Sequence, residues 1–416
     1  MPDLEEDMRF NTALLHGGFS PDGKNGATTI PIYQSSAFEH DSAEKLENIF
    51  KGREPGYIYT RINNPTIEAF EKRIAYLEGG AGAVACSSGM AAAALAILNI
   101  VKSGEEIVSG SGIFGGTYSL FGCFEDFGIT ARYARDNSVE SFEENINEKT
   151  RAIYVETIGN PKLDVYDIKA LAELAHKYGI PLIADNTATT MYLLRPLSLG
   201  ADIVIHSASK YINGSGNSIG GIIVDGGKFK WDFEKYSSLK AYRKFGGFVY
   251  LAKLRKTLFK DFGACMAPFN AYLCSLGLET LALRMDRLCS NALLLAKALK
   301  DNPKVVSVNY PGLEDNENYE LAGNQFGKKY GAILTIRAGS KENAFKVINS
   351  LKYACNLSNI GDVRTLVIHP ASTIYATNSA EEMEAMGVYD DLIRISVGIE
   401  DIEDIKEDFE QALEKI

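Results

Sequence analysis

The chain has 416 residues, of which 46% are hydrophobic, and it carries a formal net charge of -11 at pH 7. This length predicts more than one domain, and the acidic balance argues against a nucleic-acid-binding face. The longest apolar run, residues 90–98, is about half of what a membrane span requires, and the acidic first seven residues lack the apolar core of a signal peptide. We therefore expect a cytoplasmic protein that binds neither nucleic acid nor membrane.

Residues 1–62 are predicted to be extended and irregular, as in an arm that contacts a partner subunit. Asn64 and Pro65 then supply N-cap and first-turn chemistry for a helix, which Gly79 and Gly80 are expected to end.

Strand-like and helical patterns alternate through the next part of the chain. Strands are predicted near residues 83–86, 105–109, 128–134, 151–157, 180–186, 201–207 and 220–225. This alternation predicts an α/β fold with a mainly parallel sheet and helices on both faces. We assign residues 63–255 to this large domain.

After about residue 256, long helices lead into a smaller α+β domain, assigned to residues 256–416. Its strands are predicted near residues 305–310, 331–338, 366–369 and 393–398. Residues 226–250, which contain the only tryptophan, Trp231, form either a lid or subunit contact or an ordinary solvated loop.

Ser88 and Gly89 precede an alanine- and leucine-rich run with high helix propensity. Backbone N–H groups and the helix dipole make such a helix start an anion site, although a simple N-cap serine gives the same pattern.

Two apolar strands end in chemically active side chains: one in Asp185, the other in Ser207, Ser209 and Lys210. The carboxyl ends of neighbouring parallel strands share one edge, so Asp185 and Lys210 can share a site. Burial disfavours a charged ammonium, and neutral lysine attacks aldehydes, so the pair suits pyridoxal phosphate. Taken singly, Asp185 is also interpretable as a cap or turn residue and Lys210 as a solvated loop residue.

The six cysteines contain no C-x-x-C pair, and the five histidines form no H-E-x-x-H motif. We therefore expect reduced, packed thiols and no metal site. His206 and His369 are interpreted as structural side chains.

Taken together, these segments resemble the Cys/Met-metabolism family of pyridoxal-phosphate enzymes, which has the aspartate-aminotransferase-like fold (fold type I). The resemblance covers nearly the whole chain, and it rests on residues 31–38, 57–66, 156–162, 185–187, 207–210 and 393–400.

The resemblance implies a role for each matching position. Lys210 resembles the Schiff-base lysine, Asp185 the partner of the pyridine nitrogen, and Arg394 the clamp for the substrate α-carboxylate. Asn160 resembles the side chain that contacts the phenolic oxygen of the cofactor. The other cofactor-binding positions that it implies within one chain are Ser88, Gly89, Met90, Thr187, Ser207 and Ser209.

Tyr59 and Arg61 resemble a pair that reaches the cofactor phosphate of the neighbouring subunit. This implies a homodimer as the smallest active unit, and we expect a homotetramer.

Residues 359–373 resemble the O-acetylhomoserine sulfhydrylase version of the substrate-side segment, with Asn359 implied to lie beside Arg394. Lyase branches more often carry Ser-Leu-Gly at residues 359–361. The resemblance therefore favours γ-replacement on an O-acylated homoserine by sulfide or a thiol, giving homocysteine or methionine. The alternative is a γ-elimination lyase acting on methionine or a related sulfur amino acid, and a protein kept only for binding is a more distant one.

Three positions depart from the family pattern. Phe114 stands where relatives usually stack a tyrosine on the cofactor, so the catalytic position lacks a hydroxyl that could protonate a leaving group. Ile374 and Tyr375 follow Thr373 where relatives usually have Thr-Thr-His, and residues 214–217 read Gly-Ser-Gly-Asn instead of Gly-His-Gly-Thr. A changed sulfur donor or amino-acid substrate therefore stays open.

Overall fold

The computed structural model describes residues 8–18 and 25–416. Its α-helices are α1 (Phe10–His16), α2 (Ala43–Phe50), α3 (Pro65–Glu78), α4 (Gly89–Leu98), α5 (Gly115–Glu125), α6 (Val139–Glu143), α7 (Ile168–Lys177), α8 (Thr190–Leu193), α9 (Val249–Lys256), α10 (Leu258–Phe262), α11 (Pro268–Glu279), α12 (Leu281–Lys300), α13 (Tyr319–Gln325), α14 (Lys341–Ser350), α15 (Ala380–Ala385) and α16 (Ile402–Leu413). Turns of 3-10 helix cover Pro196–Leu199, Ser237–Phe248 and Pro370–Ser372.

The large domain is built on a seven-stranded sheet. Its strands are β1 (Gly82–Cys86), β2 (Glu106–Ser109), β3 (Thr130–Tyr133), β4 (Thr150–Glu156), β5 (Leu182–Asp185), β6 (Ile203–His206) and β7 (Gly221–Asp225). They lie in the order β1-β7-β6-β5-β4-β2-β3. Only β7 runs against its neighbours, β1 and β6, which confirms the predicted mainly parallel sheet.

Both faces of this sheet are buried, because successive side chains of each strand point to opposite faces. Leu182 and Val204 belong to one core, whereas Ile183 and Ile205 belong to the other. Helices α3 and α7 contribute to the first core and α4 and α5 to the second, which confirms helices on both faces.

The predicted start and end of α3 are also confirmed. The side chain of Asn64 accepts a hydrogen bond from the Thr66 N–H at 2.9 Å, and Gly79 ends the helix in the left-handed region with φ 75°.

A second sheet of five strands belongs to the C-terminal region. Its strands are β8 (Ser307–Asn309), β9 (Ile333–Arg337), β10 (Cys355–Asn356), β11 (Leu366–Ile368) and β12 (Leu392–Ser396). Their order is β10-β11-β12-β9-β8, with Arg394 in the central strand β12. The two-residue strand β10 was not predicted, because it is too short to show an alternating pattern.

The N-terminal segment differs from the prediction of an irregular arm. It contains α1 and α2, while residues 1–7 and 19–24 of the predicted arm lie outside the described residues. Helix α1 buries Ala13 and Leu14 in the core to which α3 contributes, so part of the arm is held by its own chain.

Residues 226–250 are attached to the large domain through an aromatic cluster. The ring of Trp231 stacks on that of Tyr250 with centroids 5.7 Å apart, and it meets Tyr236 edge-on. This part of the segment is therefore packed rather than fully solvated, and its role as a lid or subunit contact stays a prediction.

Candidate active site

A cavity of about 490 Å³ lies at the carboxyl ends of β4, β5 and β6, and Arg394 of the second sheet also lines it. Every predicted site residue except Tyr59 and Arg61 lines it. These residues are Ser88, Gly89, Met90, Phe114, Asn160, Asp185, Thr187, Ser207, Ser209, Lys210, Asn359 and Arg394. The sheet-edge rule thus brings Asp185 and Lys210 to the same cavity, as predicted.

Lys210 follows β6 in a turn in which its N–H bonds the Ser207 carbonyl at 3.1 Å. Its Nζ donates to Oδ1 of Asn359 at 2.5 Å. Burial, aided by the positive charge of Arg394, lowers the pKa of Lys210 to about 8. The amine therefore loses its proton far more readily than a solvated lysine, as a nucleophile and proton carrier requires.

Asp185 ends β5, and its Oδ1 accepts from the N–H and the hydroxyl of Thr187 at 3.0 and 2.5 Å. Its Oδ2 accepts a longer bond from the Tyr154 hydroxyl at 3.3 Å. Oδ1 of Asp185 therefore also stabilises the turn that follows β5, in agreement with the interpretation of Asp185 as a turn residue. Burial raises the pKa of Asp185, and the bonds from Thr187 oppose that rise.

Glu156 is a cavity residue to which the sequence analysis gave no role. It ends β4 directly opposite Asp185 in the sheet, and its Oε1 accepts from the Phe114 N–H at 2.7 Å. Burial, followed by the charge of Asp185, raises the pKa of Glu156 well above its usual range. Because Asp185 accepts more hydrogen bonds, it is the better-stabilised anion of the pair. The sheet-edge rule that selected Asp185 also applies to Glu156.

The opposite end of the cavity is the start of α4. Ser88 caps this helix by accepting from the Ala91 N–H at 3.1 Å, so the simple N-cap interpretation holds as well. The first-turn amides of Gly89 and Met90 have no acceptor within the helix. A Cβ on Gly89 would lie 2.5 Å from the Cβ of Ser207, so only glycine allows the helix start to approach the end of β6 this closely.

Arg394 is 3% exposed, and none of the described carboxylates lies within ion-pair distance of it. Its Nη1 donates to Oδ1 of Asn160 at 3.2 Å and its Nη2 to the Asn359 carbonyl at 2.9 Å, while its buried Nε has no partner. Burial lowers the pKa of Arg394 to about 10, so the guanidinium still carries its charge at neutral pH. A buried cation without an anion suits a carboxylate ligand.

The other lining residues include the apolar side chains of Phe114, Ile158, Ile219 and Ile374 and the hydroxyl side chains of Thr117, Ser218 and Ser358. Ile374 thus faces the site, as its place in the substrate-side segment suggested. Lys210 and Arg394 are the cations among the residues that line the cavity.

Tyr59 and Arg61 lie elsewhere, on an exposed surface of the chain. The Arg61 guanidinium lies 5.5 Å from the centre of the Tyr59 ring and donates to the Lys260 carbonyl. That these two side chains reach the cavity of a partner subunit stays a prediction.

His206 has a structural environment. Its Nε2 lies 2.6 Å from Oε1 of the buried Glu78, which also accepts from Asn186 at 2.9 Å. His369 lies 2.8 Å from both the Ser372 hydroxyl and the Asp390 carbonyl.

Within residues 8–18 and 25–416, no helix combines the length and apolar character needed to cross a membrane. The same residues contain no group of three or more histidine, cysteine, aspartate or glutamate side chains arranged to hold a metal ion.

The residues of the cavity fit pyridoxal phosphate. The start of α4, where Gly89 leaves no room for a side chain, can accept a phosphate. The carboxylate of Asp185 and the amine of Lys210, whose pKa is lowered, line the same cavity and suit the pyridine nitrogen and the aldehyde. The unpaired Arg394 adds a place for the carboxylate of an amino acid. This fold and cavity define a pyridoxal-phosphate enzyme of fold type I.

The comparisons with known proteins give the family. Residues 11–414 match the model of the Cys/Met metabolism PLP-dependent enzymes, and the chain belongs to this family. It is 42% identical to the O-acetyl-L-homoserine sulfhydrylase of Leptospira meyeri, over 99% of this chain and 98% of that protein.

Two solved structures extend the comparison. One is a protein of Campylobacter jejuni that is assigned as an O-acetylhomoserine (thiol)-lyase and whose structure contains pyridoxyl-lysine. It is 33% identical to this chain and superposes with a TM-score of 0.93, over 98% of this chain and 100% of that protein. Cystathionine γ-lyase of Lactobacillus plantarum, complexed with L-serine, is 32% identical with a TM-score of 0.86, covering 98% of this chain and 99% of that one. The protein is therefore a pyridoxal-phosphate-dependent enzyme of Cys/Met metabolism, on a fold that sulfhydrylases and lyases share.

Proposed function

We propose that the protein catalyses γ-replacement on an O-acylated homoserine, with sulfide or a thiol as the nucleophile, giving homocysteine or methionine. Two observations support this proposal: the full-length similarity to a sulfhydrylase and the position of Asn359 in the cavity. In this proposal Lys210, Asp185 and Phe114 are the catalytic residues.

Arg394 binds and orients the α-carboxylate of the substrate. Its unpartnered Nε and its two Nη groups form a planar fork that matches two carboxylate oxygens. Asn160 and the Asn359 carbonyl hold that fork in place, so the α-carbon comes to rest near Lys210.

Lys210 moves the protons. Its Nζ, free of the cofactor after substrate binds, takes the proton from the α-carbon and passes it on, then takes a proton from the β-carbon so that the γ-substituent can leave with its bonding electrons. After sulfide or a thiol has added at the γ-carbon, the same amine returns protons to the β- and α-carbons, in keeping with its lowered pKa. When bound, the cofactor supplies an electron-withdrawing pyridine ring, which Asp185 keeps protonated. Ser88, Gly89, Met90, Thr187, Ser207 and Ser209 hold the cofactor in this proposal, with Tyr59 and Arg61 of a second subunit.

The charges around the cavity favour an uncharged acyl group at the γ-position. In this proposal Arg394 binds the α-carboxylate and Lys210 moves protons. Among the described residues that line the cavity there is then no further cation for a γ-substituent that carries its own negative charge. Acetate leaves without needing protonation, which agrees with a phenyl ring and not a phenol at Phe114.

The observation that carries the choice of branch is the double contact of Asn359. Its side chain accepts from Lys210 at 2.5 Å, and its carbonyl accepts from Arg394 at 2.9 Å. The residue that distinguishes the sulfhydrylase-like segment thus touches both groups that handle the substrate.

The test is a product assay on purified enzyme with O-acetylhomoserine, with and without sulfide, and with O-succinylhomoserine as the charged comparison. We expect homocysteine only when sulfide is present, little 2-oxobutyrate, and at least about tenfold less product from the succinyl ester. Abundant 2-oxobutyrate and ammonia irrespective of sulfide would establish the γ-elimination lyase instead.

We further propose a cytoplasmic homodimer as the smallest active unit, and its pairing into a tetramer. The exposed Tyr59 and Arg61 pair supports this, because neither side chain lines the cavity of its own chain. We also retain residues 1–62, 63–255 and 256–416 as the proposed arm and domains, with the second boundary in the last turn of α9.

A further inference from the structure

Helix α5, which carries Phe114 at its start, has no cap from its own sequence. Phe114 occupies the N-cap position, and its side chain cannot accept a hydrogen bond. The first amides of the helix therefore need acceptors from elsewhere in the fold.

Two distant side chains supply them. Oε1 of Glu156 accepts from the Phe114 N–H at 2.7 Å, and the hydroxyl of Tyr375 accepts from the Gly115 N–H at 3.0 Å. Tyr375 lies 260 residues further along the chain than Gly115, in the C-terminal domain.

The same hydroxyl of Tyr375 also donates to the Asn160 carbonyl at 3.0 Å. Asn160 in turn accepts from Arg394 through its side chain at 3.2 Å. One buried phenol, 1% exposed, thus joins the amide of Gly115, the residue after Phe114, to the backbone of Asn160, whose side chain contacts Arg394.

The fit around this phenol is close. A Cβ on Gly115 would lie 2.8 Å from the Tyr375 ring and 3.1 Å from Ile374, so the glycine allows the contact. Tyr375 also belongs to a small buried cluster with Ala371, Met386 and Val388, separate from the two main cores. The hydrogen bonds of Tyr375 therefore attach a lightly packed segment to the active site, and Ile374 on that segment lines the cavity.

We propose that Tyr375 is a positioning residue, which fixes the start of α5 behind Phe114 and the backbone of Asn160 beneath Arg394. Its loss lets the substrate-side wall and the carboxylate clamp move, so it weakens binding of the amino acid more than it slows the chemistry. The measurement of KM depends on the proposed function only because that function decides which amino acid is used as substrate. The measurement of hydrogen exchange at the Gly115 amide does not depend on the proposed function.

The experiment compares Tyr375→Phe with Tyr310→Phe in the cofactor-loaded enzyme. Tyr310 is the matched control, because it is equally buried, lies in the same domain and donates to the Gly331 carbonyl at 2.9 Å, away from the cavity. Hydrogen exchange of the Gly115 amide is measured without substrate, and KM and kcat are measured with whichever amino acid the enzyme turns over.

We expect Tyr375→Phe to speed exchange at Gly115 and to raise KM, each by about five- to tenfold, with kcat within about threefold. Tyr310→Phe should change neither. Unchanged exchange and KM in Tyr375→Phe, or equal changes in both variants, would overturn the proposal.

If Tyr375→Phe does not fold, Tyr375→Leu decides the question by the same two measurements, because a leucine side chain can bond neither Gly115 nor Asn160. Failure of the proposed function would alter the products of the assay and leave the exchange result intact.

Discussion

The cavity has two sides that are built differently. On the cofactor side, Asp185 and Lys210 stand at the ends of β5 and β6, strands whose side chains are almost all buried in the two cores. On the substrate side, Asn359, Ile374 and Tyr375 belong to loops and turns that are held by individual hydrogen bonds and a small separate cluster. The large sheet thus fixes the groups proposed to perform the chemistry, and the central strand β12 of the second sheet fixes the proposed clamp Arg394. The other proposed substrate-side groups lie on loops and turns outside the sheets.

This difference predicts how variants of the two sides behave. Changes on the cofactor side should abolish turnover whatever the substrate, whereas changes on the substrate side should alter affinity or product choice.

The largest effect is expected from Lys210→Ala. The variant loses both the amine that bonds the cofactor and the group that moves protons, so turnover should fall by about 10³-fold or more. Its visible absorbance and steady-state rate measure the two losses. Lys253→Ala is the control, because Lys253, like Lys210, is half-buried and its pKa is also lowered to about 8. Near-normal turnover of Lys210→Ala would contradict the assignment.

The lowered pKa of Lys210 predicts the pH dependence of cofactor loading. Only the neutral amine reacts, so the rate of reconstitution of the apoenzyme should rise with pH and level off above about pH 8 to 9. Between pH 6 and pH 8 we expect an increase of about 50-fold. A rate that keeps rising tenfold per unit beyond pH 9 would mean that Lys210 titrates like a solvated lysine.

Arg394→Lys tests the clamp on the substrate side. A lysine keeps the charge but not the planar fork, and it no longer holds both Asn160 and Asn359, so KM for the amino acid should rise by about 10- to 100-fold. The cofactor absorbance should stay unchanged. Arg132→Lys, on the surface beside Glu106, is the control and should have no effect on KM. A loss of kcat with KM unaltered would place Arg394 in the chemistry instead.

The smallest effect is expected from Phe114→Tyr, which returns a hydroxyl to the cavity. Turnover of O-acetylhomoserine should stay within about threefold, because acetate leaves without a proton. Elimination from cystathionine should rise, since a departing thiolate gains from a proton donor. Steady-state assays with both substrates measure the ratio, and a fall in the cystathionine rate would argue against this role of the missing hydroxyl.

The sequence predicted the sheet that carries the proposed cofactor side. The seven strands of the large sheet lie within a few residues of their predicted positions, because most of them contain a run of apolar residues; the partly exposed β3 is the exception. The sheet-edge rule then brings Asp185 and Lys210 to one cavity. The family resemblance, not the local pattern, predicted that Arg394 and Asn359 join them, since these residues come from another domain.

What the sequence did not predict depends on contacts between distant segments or on weak local patterns. Tyr375 was noticed only as a departure from relatives, and its bonds to Gly115 and Asn160 leave no local signal. Helices α1 and α2 were missed because helices of seven and eight residues make only about two turns, although α2 has an N-cap serine, Ser42, that could have indicated its start. Glu156 was overlooked although it ends a predicted strand beside that of Asp185.

The most direct test of the central claim, that the chemistry resides at the strand-end site, is to locate the bound cofactor. Reduction of the loaded enzyme with borohydride, followed by proteolysis and mass spectrometry, should find the pyridoxyl group on the peptide that contains Lys210. Its presence on Lys253, the other described lysine whose pKa burial lowers to about 8, would contradict this account of the active site.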